Sequence, residues 1–313
     1  MFQYAMRRAF ISIPILLIVL TLVFVVVRVL PGDPAVAALG DQASKEAVDA
    51  LRARMGLNDP LWLQYLKFLG SLSRGDLGTS IISGFPVATQ IASVVPYTLE
   101  LTFAAVLLGY LFGIPLGVSA AVRRNSFVDY FNRVFSLIGL SVPAFYLGIL
   151  LILVFSVKLR LLPVVGGGEF WDLEDNLTHV ALPALALGMM MTAYVTRMTR
   201  SSILDIMRED YVRTAHSKGL SDRKVLYKHV LRNALIPIVA LGGLYVVVLI
   251  GSSVMVEIVF SRPGLGKLLV GAIKQRDYTT LQSVMVFYAF LVVICNLITE
   301  LAYGLVDPRI KYN

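Results

Sequence analysis

Residues able to do redox, nucleophilic or metal chemistry are scarce in this chain, and their spacing does not form a reactive centre. The single cysteine, Cys295, stands inside an apolar block, so we expect no disulfide framework and no metal cluster, and a small buried side chain is the simpler interpretation. The three histidines lack the spacing of metal ligands and are His179, His216 and His229. The sequence therefore predicts no catalytic residue and no metal site.

Two glycine-rich stretches have the composition of phosphate-binding loops. The stretch Gly264–Leu268 resembles the end of such a loop, but Ser261 stands where the earlier glycine is required, and no Ser or Thr follows Lys267. The stretch Gly166–Gly168 lacks the flanking strand and helix of a nucleotide site. We therefore expect this chain to bind no nucleotide or other cofactor and not to be an enzyme.

The most informative segment is polar, basic and helix-forming, and spans Tyr211–Pro237. Asp205–His216 is predicted to form one short helix, which Lys218-Gly219-Leu220 ends. Ser221 is a suitable N-cap for a second helix over Asp222–Asn233. The apolar side of the first helix consists of Ile206, Met207, Tyr211 and Val212, and that of the second of Val225, Leu226, His229 and Val230.

Two short helices of this kind are typical of a docking surface whose apolar sides enter a groove on a protein partner. A basic amphipathic helix can also lie on anionic lipid headgroups, and this alternative stays open.

The composition places this segment in a membrane protein. Of 313 residues, 57% are apolar and 15% are charged, against roughly 45–50% and about 25% in soluble domains. A span needs about 20 consecutive, mostly apolar residues. Six blocks qualify: Ala9–Leu30, Thr98–Val122, Val134–Val157, Leu177–Thr196, Ala234–Val256 and Leu281–Thr299. The sequence predicts an all-α polytopic membrane protein with six transmembrane helices, because backbone polar groups in lipid must be satisfied internally.

The distribution of Lys and Arg in the short loops predicts the orientation. An even number of spans places both termini on one side, and about 16 of the 28 Lys and Arg residues fall on that side. Both termini and the Tyr211–Pro237 segment are therefore expected to be cytoplasmic. The net charge of +8 reflects this bias, and no basic face with interleaved aromatic residues indicates nucleic-acid binding.

A long segment outside the membrane follows the first span. It is predicted to contain short helices at Ala43–Met55 and Leu61–Leu72, with a turn at Gly75–Gly78, and to pack against the outer face of the helix bundle. We divide the chain into residues 1–97, with the first span and this extracytoplasmic segment, and residues 98–313. The latter form a five-helix core with a cytoplasmic loop at about 197–235 and a short cytoplasmic tail.

Glycine and proline mark packing and bending within the predicted spans. Gly109, Gly113 and Gly117 recur every four residues and predict a smooth helix face for close packing. Three spans are interrupted by proline, at Pro115, Pro143 and Pro183. Simple kinking explains these prolines, and bending during a transport cycle is the alternative.

Ionisable residues do not mark a path through the spans. Glu100, Glu257 and Glu300 fall near the ends of their blocks, which argues against an ion-coupled secondary carrier. Candidate path residues are therefore uncharged, and they are Ser141, Tyr146, Thr192, Tyr194 and Asn296. For each of them, ordinary interhelical hydrogen bonding is the alternative.

The basic segment contains Arg213-Thr214-Ala215, then Gly219, then Pro237. This pattern resembles the Glu-Ala-Ala…Gly…Pro signature loop of permease subunits in binding-protein-dependent ABC importers. Two departures from that signature, the replacement of Glu-Ala-Ala and the longer distance from Gly219 to Pro237, make the pattern similar to that of the dipeptide/oligopeptide/nickel branch. Other motifs of that branch occur in order along nearly the whole chain: Pro31–Pro34, Gly56-Leu57 with Pro60, Gln64-Tyr65, Gly75–Gly78, Pro86-Val87, Pro263–Gly266, Arg276–Tyr278 and Asp307–Ile310.

The resemblance implies the type I (MetI-like) permease fold, in an importer of the bacterial inner membrane. Its expected partners are a second, usually different permease subunit, two ATPase subunits that use ATP, an extracytoplasmic binding protein and membrane lipid. This chain would form half of a pathway that works by alternating access. Residues expected to couple it to an ATPase are Asp210, Tyr211, Arg213, Thr214, Ala215, Lys218 and Gly219.

Peptides are the cargo that the resemblance favours. Nickel chelates, glutathione-like compounds and oligosaccharides stay open as alternatives for the same machine, and an ion-coupled secondary transporter is the alternative of another class.

Overall fold

The computed structural model describes residues 2–29, 33–40 and 43–306. These residues form helices and connecting turns, with one isolated β-bridge between Thr79 and Pro86. The helices are α1 (Phe2–Val29), α2 (Pro34–Leu39), α3 (Lys45–Arg54), α4 (Leu61–Ser73), α5 (Val87–Val122), α6 (Phe127–Ser141), α7 (Ala144–Leu151), α8 (Leu173–Ile206), α9 (Asp210–Ser217), α10 (Asp222–Lys224), α11 (Arg232–Val259), α12 (Leu265–Gln275) and α13 (Tyr278–Val306). Two π-helical segments, Ile152–Lys158 and Val225–Leu231, follow α7 and α10. Pro31-Gly32 and the Asp307–Ile310 motif lie outside the described residues.

Five helices among the described residues are long and apolar enough to cross a membrane. They are Met6–Arg28, Val87–Val122, Leu173–Ile206, Gly242–Val259 and Tyr278–Leu301. Each overlaps one of the predicted blocks, so the prediction of an all-α, multi-span membrane protein is confirmed.

The remaining predicted span, Val134–Val157, is not a single helix. Phe127–Ser141 and Ala144–Lys158 meet at an angle of 102°, so the two arms count as a sixth span only when taken together. The chain breaks at Val142, whose φ of −84° and ψ of 123° are extended. The ring of Pro143 disfavours helical backbone at the residue before it. Pro115 and Pro183, in contrast, lie within continuous helices.

By contacts, the described chain forms two compact units. The N-terminal unit comprises the described residues of Phe2–Pro96 and Pro263–Ile294, and the main unit comprises Tyr97–Arg262 and residues 295–306. The division at residue 97 that the sequence suggests stays a prediction. Pro263–Ile294, which that division groups with the five-helix core, belongs by contacts to the N-terminal unit.

The N-terminal unit contains the two predicted short helices as α3 and α4. Leu20 of α1 packs near Val286 of α13, with residues of α4 alongside. Asp33 caps α2 by accepting a hydrogen bond from the Ala35 amide at 2.8 Å, and Arg52 of α3 donates to the same carboxylate at 2.6 Å. Burial alone would raise the pKa of Asp33, but these hydrogen bonds lower it below its usual value.

A buried carboxylate also joins two segments of this unit. Asp277 accepts hydrogen bonds from the hydroxyls of Ser80 at 2.5 Å and Thr280 at 2.7 Å. The segment after α4 is thereby tied to the start of α13. This contact gives the Arg276–Tyr278 motif a structural role, because a buried carboxylate must be hydrogen-bonded.

The main unit is built around α8, which packs against α6, α7 and α11. Residues along most of the length of α8 are buried, from Asn176 near its start to Ile203 near its end. A helix that is buried on most sides is held by its neighbours, so it connects the two ends of the unit as a rigid element.

The glycine face of α5 brings that helix very close to α8. Gly109 faces Met191, Gly113 faces Val195 and Gly117 faces Thr199, so the two series advance together by four residues. A Cβ added at Gly117 would lie 2.7 Å from the backbone oxygen of Thr196, too close for a real contact. The prediction of a smooth face for close helix packing is confirmed.

Replacing Gly117 by Ala is expected to destabilise the protein by about 1–3 kcal/mol, because backbone of α8 occupies the space of the new methyl group. The matched control is Gly251→Ala in α11, where nothing lies within 4 Å of the added Cβ. There we expect a gain of up to about 1 kcal/mol from helix propensity. Thermal unfolding of the purified protein in detergent measures both, and equal midpoints for the two variants would contradict the packing described here.

Candidate functional site

α8 continues to Ile206, into the segment predicted as the cytoplasmic loop. The prediction of one helix over Asp205–His216 is therefore wrong at its start. The amide of Glu209 donates to the Ile206 carbonyl at 3.0 Å, a short-range bond of the kind that tightens a helix end, and Glu209 itself is extended. A turn thus separates α8 from α9, a helix of about two turns.

The two sides of α9 differ sharply. Val212 and Ala215 are only 2% and 7% exposed and belong to the core of the main unit. Asp210 and Arg213 form an ion pair on the exposed side, where Thr214 also lies. The Ala215 side chain, which the sequence analysis counted among the coupling contacts, therefore faces the chain's own core. The exposed residues of α9 are Asp210, Tyr211, Arg213, Thr214, His216, Ser217 and, just beyond the helix, Lys218.

Gly219 ends α9 in the manner expected of a glycine that follows a helix. Its φ is +78°, in the left-handed region that residues with a Cβ adopt at a cost. Its amide donates to the His216 carbonyl at 2.8 Å, and the Leu220 amide reaches the Ala215 carbonyl at 3.4 Å. This pair of bonds is a Schellman motif, and it turns the chain back beneath the helix. The predicted break at Lys218-Gly219-Leu220 is confirmed.

The second predicted helix is not separate from the span that follows it. α10, the π-helical segment Val225–Leu231 and α11 form one continuous helical run from Asp222 to Val259, with Pro237 inside it. Ser221 occupies the N-cap position, but its side chain makes no capping hydrogen bond. The loop therefore contains one independent short helix rather than two.

Side chains of this continuous helix hold α9 in place. The Asn233 amide donates to the Tyr211 hydroxyl at 2.8 Å and to the His229 carbonyl at 3.1 Å. At the other end of α9, Nε2 of His216 lies 3.2 Å from Oδ1 of Asp222. Together with the burial of Val212, these contacts fix the orientation of α9 relative to the start of α11.

An ion pair around a buried carboxylate, which the sequence did not predict, lies near the same end of α8. Asp129, in the first turn of α6, is fully buried and accepts hydrogen bonds from Nε of Arg200 at 2.6 Å and Nη2 at 3.0 Å. The Asn125 amide donates to the same carboxylate at 2.9 Å. The two partners are 71 residues apart in sequence, and neither has a neighbouring motif that signals the pairing.

A second missed cluster lies around the opposite end of α8. Arg262, which is fully buried, donates to Glu100 of α5, to Asn176 of α8 and to the carbonyl of Gly167. Its guanidinium also lies over the ring of Tyr97, 5.2 Å from the centroid. Glu100 therefore serves as the counter-charge of a buried arginine, which joins three segments of the main unit.

The five candidate path residues occupy different environments. Ser141 and Tyr146 are exposed on either side of the break at Pro143, and Asn296 is half-buried on α13. Thr192 is buried and donates to the Gly188 carbonyl of its own helix at 2.8 Å, which favours the packing interpretation for this residue. Tyr194 stacks on Tyr245 with ring centroids 3.5 Å apart. No hydrogen bond joins any two of the five side chains within the described part of the chain.

Comparison with known proteins gives one consistent result. A family model described as a binding-protein-dependent transport system inner membrane component matches residues 113–312, and a model for the N-terminal part of such components matches residues 1–102. The chain is 43% identical to the oligopeptide transport system permease protein AppB of Bacillus subtilis strain 168 and 37% identical to the dipeptide transport system permease protein DppB of Alkalihalophilus pseudofirmus. It is 41% identical to the glutathione transport system permease protein GsiC of Escherichia coli O6:H1. Each comparison covers 100% of both chains.

Solved structures agree on the fold. The inward-facing MetNI methionine ABC transporter is similar with a TM-score of 0.56 at 20% identity, covering 70% of this chain and 97% of that chain. An amino acid ABC transporter solved with histidines gives a TM-score of 0.54 at 17% identity, covering 69% of this chain and 94% of that chain.

The fold and the site define a multi-pass helical membrane protein that presents a short, polar-faced helix between two of its spans. The chain belongs to the family of binding-protein-dependent transport system inner membrane components.

Replacing Asp129 by Asn is expected to destabilise the protein by about 1.5–3 kcal/mol, because the charge-assisted hydrogen bonds from the partly exposed Arg200 guanidinium are lost or weakened. The double variant with Arg200→Gln should be less destabilised than the sum of the single changes, because the two residues act as a pair. Denaturant unfolding in detergent micelles measures each free energy. The control is Asp205→Asn, an exposed carboxylate near the end of α8. A loss at Asp129 no larger than this control would contradict the assignment.

Proposed function

We propose that this chain is the permease subunit of an ATP-driven importer of di- and oligopeptides and forms half of the translocation pathway. The observation that carries the proposal is α9, whose apolar side is fixed to the core while its polar side faces outward. Full-length similarity to oligopeptide and dipeptide permeases supports peptides as the cargo. The similar glutathione permease makes glutathione-like peptides the second candidate cargo.

The proposed partners are a second, different permease subunit, two ATPase subunits and an extracytoplasmic binding protein. The family description supports dependence on a binding protein. ATP would be bound and hydrolysed by the ATPase subunits, with no cofactor held by this chain. Both termini and α9 would lie on the cytoplasmic side of the inner membrane, since the loops on that side carry most of the Lys and Arg residues.

The ATPase would contact the exposed face of α9. Tyr211, Arg213 and Thr214 would supply the contacts along the helix, and Lys218 and Gly219 those at its end. Ala215 would act from the opposite side, by packing α9 on the core. An α-helix that enters a groove on a partner needs its orientation fixed, and Val212, Ala215 and the Tyr211–Asn233 hydrogen bond provide this.

The transport cycle would couple nucleotide binding to the orientation of the pathway. Closure of the ATPase pair on ATP would bring the two α9 helices of the permease pair together. Because α9 is packed against the core of the main unit, this movement would favour the outward-facing state. In energetic terms, ATP binds one state of the assembly better and so shifts its population toward that state.

Gly219→Val is expected to abolish ATP-dependent uptake of a labelled dipeptide, because a β-branched residue is strongly disfavoured at a φ of +78° and the end of α9 is displaced. Gly219→Asn, whose side chain tolerates the left-handed region, should retain most of the uptake. Proteoliposomes with the full set of partner subunits provide the assay. Normal uptake by Gly219→Val, at equal protein content, would contradict the role of this turn.

A cysteine placed at Thr214 should form a disulfide cross-link with a cysteine in the ATPase groove, because Thr214 lies on the exposed face of α9. The matched control is Val212→Cys, two residues away on the buried face, which should not cross-link. Both variants are made in a Cys295→Ser background, and cross-links are read on gels. Equal cross-linking at the two positions would rule out the proposed docking face.

A further inference from the structure

A basic cavity in the main unit has no role in the function described above. It has a volume of about 350 Å³ and lies between α6 and α8. Three arginines line it: Arg133 from α6, and Arg197 and Arg200 from α8. The cavity is close to the turn that leads into α9, because Arg200 lies only six positions, or about 9 Å of helix, before the end of α8 at Ile206.

The charges around this cavity do not balance. The buried carboxylate of Asp129 pairs with Arg200, and Nε of Arg133 lies 3.6 Å from the same carboxylate. Arg197 is exposed and makes no ion pair or hydrogen bond within the described part of the chain. One carboxylate therefore faces three guanidinium groups, and the cavity attracts an anion.

Buried polar atoms in the cavity wall lack partners. The hydroxyls of Ser136 and Thr196 and the Oδ1 atom of Asn132 make no hydrogen bond within the residues that the structure describes. These three side chains are 4%, 1% and 2% exposed, and all three line the cavity. Buried polar groups are nearly always hydrogen-bonded. Two donors and one acceptor are thus available to a ligand, beside the arginines.

One edge of the cavity is apolar. Leu137 of α6 lines it and is 67% exposed, and its neighbours Val134 and Ile138 are also exposed. In a membrane-spanning family, an exposed apolar helix face next to a basic cavity suits a ligand with an anionic group at one end and a hydrocarbon chain at the other. A small hydrophilic anion would itself make no contact with that apolar face.

We propose that this cavity binds the phosphate group of an anionic phospholipid. Arg197 and Arg133 would contact the phosphate oxygens, and the hydroxyls of Ser136 and Thr196 would donate to them. Oδ1 of Asn132 would accept a hydrogen bond from a headgroup hydroxyl such as that of phosphatidylglycerol, and an acyl chain would follow Leu137 along α6. Basic pockets between spanning helices on the cytoplasmic side are suited to anionic headgroups. A free phosphate ion shares this recognition chemistry but not the acyl contact.

The test places the full-length chain in nanodiscs of phosphatidylcholine and phosphatidylglycerol and then releases it into a mild detergent. Native mass spectrometry counts the phospholipids that stay bound to the protein. The wild type should retain phosphatidylglycerol in preference to phosphatidylcholine. Arg197→Gln should retain about fivefold less of it, the effect of one arginine near an anionic surface. The control Arg124→Gln removes an exposed arginine of the α5–α6 turn that is not part of the cavity wall, and should match the wild type.

A second measurement distinguishes a phospholipid headgroup from a free phosphate ion as the ligand of the cavity. Excess inorganic phosphate should fail to displace the lipid, because the free ion lacks the acyl contact with Leu137. The proposal is overturned if Arg197→Gln retains as much phosphatidylglycerol as the wild type, or if inorganic phosphate displaces it completely. It is also overturned if Arg197→Gln leaves lipid binding unchanged but raises the KM for peptide uptake, since the cavity then belongs to the substrate path.

Discussion

The close approach of α5 to α8 is the contact on which the rest of the main unit depends. Gly109, Gly113 and Gly117 carry no Cβ where α5 faces α8, and residues of α8 fill the space. With α6, α7 and α11 on its other sides, α8 has little freedom to bend or rotate, because tightly packed interiors resist deformation. Ion pairs fix both ends: the buried Arg262 with Glu100, beside Asn176, near the start of α8, and Arg200 with the buried Asp129 near its end.

The position of α9 follows from that rigidity. α8 ends just before the turn that precedes Asp210, and the side chains of Val212 and Ala215 pack the short helix against the same core. Gly219 then returns the chain to the continuous helix that includes α11. In the proposed importer, a push on the exposed face of α9 therefore acts on the main unit as a whole. A flexible loop in the same place would absorb the movement instead.

The sequence predicts the local features well, because they depend on periodicity and on residue type. Block length finds the spans, the four-residue repeat of glycine finds the packing face, and Gly219 marks the end of α9. The sequence does not predict the features that depend on tertiary contacts. The bend at Pro143 reaches 102°, whereas Pro115 and Pro183 leave their helices continuous, and nothing local distinguishes the three. Likewise, Asp129 and Arg200 meet only because α6 packs on α8.

The central claim is that α9 docks on the ATPase through its exposed face while its other face stays packed on the core. Hydrogen–deuterium exchange of the full-length chain, with and without the ATPase subunits, tests it most directly. The account predicts that peptides covering residues 210–219 exchange more slowly in the assembly, while those covering α3 and α4 are unchanged. Equal exchange of residues 210–219 in the two samples, at demonstrated assembly, would contradict it.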